Sequence, residues 1–114
     1  MGRQLLRSGT SIGANYREAN RGESRQDFIH KVGIAEKEAS ETVYWLEICE
    51  AALLGDINEV HFLLKESKEI LAIVTTIGRK AKGRSRAIVA AVLLSTGALA
   101  LLFPLSRFPI FAFH

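Results

Sequence analysis

A chain of 114 residues has room for one domain by the usual prior, with a modest core that self-association would enlarge. Its 15 Lys and Arg against 12 Asp and Glu leave a formal charge of +3, which permits a polyanionic partner without requiring one. The single cysteine, Cys49, and three scattered histidines exclude a disulfide framework and a thiol metal cluster, and a reducing cytoplasm fits that usage. Basic residues gather at the N-terminus (Arg3, Arg7, Arg17, Arg21, Arg25) and again over Arg79–Arg86, while Glu36–Glu69 is acidic. Met1–Ser11 is polar and basic and does not read as a signal peptide.

Residues 3–20 read as a helix. Leu5, Gly9, Ile12, Tyr16 and Ala19 step by four and three along one face, and Arg3, Arg7, Arg17 and Arg21 share the opposite one. Gly9 and Gly13 each weaken a helix by about 1 kcal/mol relative to Ala, and their spacing allows close approach of another helix. A phosphate loop is excluded, since no strand precedes them and no Gly-Lys-Ser/Thr follows. The arginine stripe has two readings. One is a solvated face trimmed by pairs such as Glu18 with Arg21 or Arg25; the other is a phosphate-contacting ridge.

A connector around Gly22 leads to the central helix, expected over Ser24–Leu54. Phe28, Val32, Ala35, Ala39, Thr42, Leu46, Cys49 and Leu53 form an unbroken seam of the kind that must meet a partner helix. A second stripe holds Ile34, Glu38, Glu41, Trp45, Ile48 and Ala52, and its first five members mark a candidate subunit interface. Ser24 is placed to cap the start, with Asp27 three residues on, and Gly55 to follow the end. Asp56 with Glu59 repeats the capping pattern. The next helix therefore runs antiparallel, with a seam of Ile57, Val60, Leu64, Ser67, Leu71 and Val74, and Leu63, Ile70, Ile73 and Ile77 beside it. It is expected to end around Thr76–Lys82, where Arg79, Lys80 and Lys82 suit the negative end of the helix dipole and Gly78 and Gly83 loosen the turn.

QLLRSGTSIGANYREA followed by ESRQDFIHKVGIAEKEASETVYWLEIC resembles a bacterial four-helix-bundle family, often called the 23S rRNA intervening-sequence proteins, over about residues 3–82. The resemblance implies an all-α, antiparallel up-down bundle assembled as a homo-oligomer, commonly a ring-like pentamer, with no established enzyme activity. It implies that the matched positions build the bundle and its subunit contacts, with Arg7 and Glu38 as partners in a pair. A similar fold serves in an accessory protein that binds a reverse transcriptase and RNA through basic surface. RNA or a ribonucleoprotein enters as a partner by that analogy, with Arg3, Arg7, Arg17, Arg21, Arg79, Lys80 and Lys82 as the candidate contacts.

Family members carry a whole helix before the QLLRS segment, so the family's first helix is expected to be missing here. The other departure is the C-terminal region, giving an expected division into a bundle domain, 1–83, and an apolar tail, 84–114. Residues 87–103 carry no charge and read as an apolar helix, at the lower limit of the roughly 17–25 residues that span a bilayer. Three readings compete: a membrane anchor flanked by the basic cluster, a helix packing on the seam left by the missing one, or the product of a shifted frame in a degenerate copy. No His, Cys, Asp or Glu spacing suggests a metal, no nucleophile has a base in reach, and no fingerprint suggests a cofactor. The reading is a non-enzymatic helical interaction protein.

Overall fold

The computed structural model describes residues 1–102, with side chains as far as Ser95. Within them the chain is all-helical and has no strand: α1 is Gly2–Asn20, α2 is Arg25–Ala51 and α3 is Ile57–Leu102. A fourth helix is not among the described residues. The chain divides into two units, Met1–Lys82 and one starting at Gly83. The packing below is that of the first.

The starts of α2 and α3 follow from two caps. Ser24 is extended, and its hydroxyl accepts the Asp27 N–H at 3.0 Å. The Asp56 carboxylate accepts the N–H groups of Asn58 and Glu59 at 2.9 and 3.1 Å. The connector before α2 turns tightly at Gly22. A Cβ there would stand 2.7 Å from the Asp27 carboxylate and 3.0 Å from the Ala19 carbonyl oxygen, so a side chain would push the carboxylate aside and crowd the carbonyl.

The ends differ from expectation. α2 stops at Ala51, short of Leu54. Leu54 N–H reaches the Cys49 carbonyl at 2.9 Å and Leu53 N–H reaches that of Glu50 at 3.3 Å, which closes a Schellman motif. Leu53 therefore takes the left-handed position, at φ 55°, that the sequence reserves for Gly55. It is 80% exposed and contributes almost no burial. A leucine in that conformation costs about 1–2 kcal/mol, and glycine loses back about 0.4–1 kcal/mol through its freer unfolded chain. Leu53→Gly is accordingly expected to raise stability by roughly 0.5–1 kcal/mol, read as a higher urea midpoint at unchanged slope.

α3 does not end at Thr76–Lys82 but runs to Leu102. Gly78 and Gly83 tax the helix without breaking it, because the Arg, Lys and Ala around them are good helix formers and no proline occurs before Pro104. Gly78 is a buried contact rather than a loose end: a Cβ there would meet Val32 of α2 at 3.4 Å. The uncharged run thus begins inside α3 and is not a separate helix. Among the described residues no helix is long and apolar enough to cross a membrane. The anchor expected over 87–103 extends into residues outside that description.

Two clusters form the core of the first unit. At one end Ala19 of α1, Val32 and Ala35 of α2 and Val74 of α3 are buried, with Tyr16, Phe28 and Ile77 against them. At the other, Val43 and Leu46 of α2 and Leu64 of α3 are buried, with Leu5 and Leu71. The α2 seam holds from Val32 to Leu46, while Leu53 leaves it with the helix end.

In the first half of α1 the buried position is Ser8, fully enclosed, and not Gly9. Thr42 donates to the Ser8 hydroxyl at 3.0 Å, and Ser8 donates to the Leu5 carbonyl at 3.2 Å. A small side chain lets the two helices approach, and the hydroxyl pair leaves no buried polar atom unsatisfied. A Cβ at Gly9 or Gly13 would meet nothing within 4 Å, so the helix contact expected there is not made by the described residues of this chain.

Candidate functional site

Arg7 emerges from the α1 face beside α2 and forks between two carboxylates one helical turn apart. Its guanidinium lies 3.3 Å from Glu38 and donates a short hydrogen bond to Glu41. Trp45 Nε1 adds a second bond to the same Glu41 oxygen at 3.3 Å, and Gln4 accepts from Arg7 Nε at 3.3 Å. The hydrogen bonds from Arg7 and then Trp45 hold the Glu41 carboxyl below its ordinary range, and the bond to Glu41 raises Arg7.

A depressed carboxyl stabilises the fold above its unfolded pKa, about 4.3. That contribution is lost as pH falls through the folded value. Arg7→Ala is therefore expected to lower the urea midpoint at pH 7, and the gap from the parent should close towards pH 3. A gap of equal size at both values would assign the loss to the packing of the arginine stem instead.

The other residues of this stripe, Ile34 and Ile48, are half-buried, as is Trp45. Tyr44 beside Trp45 is 56% exposed and meets it edge-on, the ring centroids 5.2 Å apart at 67°. Glu38 and Glu41 thus have a partner within the chain, and the apolar members of the stripe stay partly exposed.

The remaining candidate cations are distributed by the core. The Ala19–Val32–Val74 cluster sets the C-terminal end of α1 beside residues 74–77 of α3. Arg17 and Arg21 therefore share one end of the unit with Arg79, Lys80 and Lys82, and all five are exposed. Among the described residues none of them has a carboxylate within 4 Å; the ion pairs found are those of Arg7 and of His61 with Glu50. The expected trimming of Arg21 or Arg25 by Glu18 does not occur. Arg3 is exposed at the opposite end of α1, and Arg7 is engaged as described.

Other chemistry is sparse. Cys49 is half-buried, with its sulfur 3.6 Å from that of Met1. Among the described residues no group of three or more His, Cys, Asp or Glu side chains is disposed to hold a metal.

The described residues thus form an all-helical fold, with an α1–α2 pair joined by an Arg–Glu–Glu fork and a basic end. The chain belongs to the 23S rRNA-intervening sequence protein family, which residues 1–76 match. A crystal structure of a protein of unknown function from the S23 ribosomal protein family of Bacteroides thetaiotaomicron is 47% identical to it. The similarity covers 66% of this chain and 69% of that one, at a TM-score of 0.63. No curated protein matches.

Proposed function

We propose that this chain is a non-enzymatic scaffold protein. In this reading it self-associates and contacts RNA, alone or within a ribonucleoprotein, through the end of the unit that carries Arg17, Arg21, Arg79, Lys80 and Lys82. The observation that carries the reading is their joint placement, exposed and without carboxylate partners within 4 Å. Long cations left unneutralised on one surface are suited to phosphates, whose contacts release counterions. Membership in a family described by 23S rRNA points the same way.

The bundle is proposed to be antiparallel. Contacts of Arg7 with Glu38, Ser8 with Thr42 and Met1 with Cys49, beside the Ala19–Val32 cluster, support that sense for α1 and α2. Ile34, Trp45, Ile48 and Tyr44 are proposed as subunit contacts, in the pentamer that the family resemblance implies. A cytoplasmic location is proposed with it. The test is binding of the full chain to a labelled single-stranded RNA over a range of salt, beside Arg17→Ala with Arg21→Ala. Binding that ignores both salt and substitution overturns the RNA reading.

A further inference from the structure

An open apolar groove runs between α1 and α3 in the first unit. It consists of two depressions of about 270 and 320 Å³ that share Ile12 and Ile70. Leu6, Leu63 and Ile73 on its walls are 68, 47 and 58% exposed. Gly9 and Gly13 line it, and neither has anything within 4 Å of where a Cβ would stand. Two glycines one turn apart weaken α1, and no contact within the described chain offsets that. A helix seated in the groove would, because the missing side chains let its backbone come close.

We propose that the groove receives the apolar part of α3, from residue 88 onward, of a second copy of this chain. This rests on the self-association proposed above and names the surfaces that would carry it. Two observations and one requirement bear on the occupant. It must be apolar on the side it buries, and Ile88, Val89, Val92, Leu93 and Leu94 of α3 are 47–77% exposed. It must match the groove in length: Leu63–Ile77 along α3 and residues 88–102 each run about 21 Å at 1.5 Å per residue. It must bury enough. A stable interface needs about 800 Å² from each partner. In a reciprocal exchange each copy gives both a groove and a helix, so about 400 Å² from each element suffices.

Gly13→Leu fills the groove while improving α1 as a helix, so loss of folding does not confound it. Val92→Glu spoils the occupant and leaves the groove intact. The experiment is the solution mass of the full-length chain by light scattering without detergent, with helix content followed by circular dichroism. The parent is expected to be an oligomer, and each variant is expected to fall to half that mass or less at unchanged helix content. A monomeric parent overturns the proposal, as does an oligomer whose mass neither substitution changes. A parent that is monomeric in buffer and floats with phosphatidylcholine–phosphatidylglycerol vesicles, equally well with Gly13→Leu, overturns it in favour of a lipid surface. RNA binding is read separately, so failure here is distinguishable from failure of the RNA reading.

Discussion

RNA binding by the full chain is expected to weaken about 100-fold between 50 and 200 mM salt. Five side chains, Arg17, Arg21, Arg79, Lys80 and Lys82, each neutralising one phosphate of a single strand, give a log–log slope of about −3.5 at −0.7 per contact. Replacing Arg17 and Arg21 with Ala removes two contacts, brings the slope to about −2, and leaves roughly a 20-fold salt effect. Fluorescence anisotropy of a labelled RNA measures both. Arg3→Ala is the control from within the same helix. The core puts Arg3 at the far end of the unit, so its loss should leave the slope nearly unchanged. A slope that responds equally to Arg3 and to Arg17 would mean a diffuse charge effect and not a site.

Leu46→Ala is expected to cost about 3 kcal/mol, in the middle of the range for truncating a buried leucine. Leu46 is 2% exposed and clusters with Val43 and Leu64, with Leu5 and Leu71 against them, so it sits where all three helices meet. The surrounding helices cannot close on the void without shifting all three. Against a total stability of about 5–15 kcal/mol, the change would lower the urea midpoint by about 1–3 M. Leu6→Ala removes the same atoms from a side chain 68% exposed, and should stay within about 0.5 kcal/mol if no partner covers it. A small loss at Leu46 would show that the three-helix junction is not tightly packed in solution.

What the sequence makes legible follows from period and chemistry. The α2 seam from Val32 to Leu46 is readable because every step of three or four lands on a small or apolar residue. The caps at Ser24 and Asp56 are readable because a short oxygen-bearing side chain before a periodic run has few other uses. The Arg7–Glu38 pair follows from the family resemblance, but Glu41 as its second acceptor does not, since only the packing of α1 on α2 brings one guanidinium within reach of both.

Ser8 and Gly9 exchange roles because both are small, and a 3.6-residue period does not separate neighbours at the edge of a face. The end of α2 is misplaced because Gly55 is the stronger sign for a left-handed residue; it does take φ 76°, but Leu53 at φ 55° has already ended the helix. The continuation of α3 through Gly78 is hidden because a glycine that weakens a helix and one that admits a neighbour look alike in sequence.

The order of contacts along the chain also bears on its synthesis. α1 meets α2 across residues 21–24, so both partners of the Arg7 fork and of the Ser8–Thr42 pair exist once Ala51 has left the ribosome. At about 5–20 residues per second, the start of the uncharged run at Ala87 follows Ala51 out by about 2–7 s. Helical structures built on neighbours in sequence form in microseconds to milliseconds. The first two helices can therefore pair before the most apolar residues emerge. Those residues therefore do not compete with α1 for the face of α2 during folding.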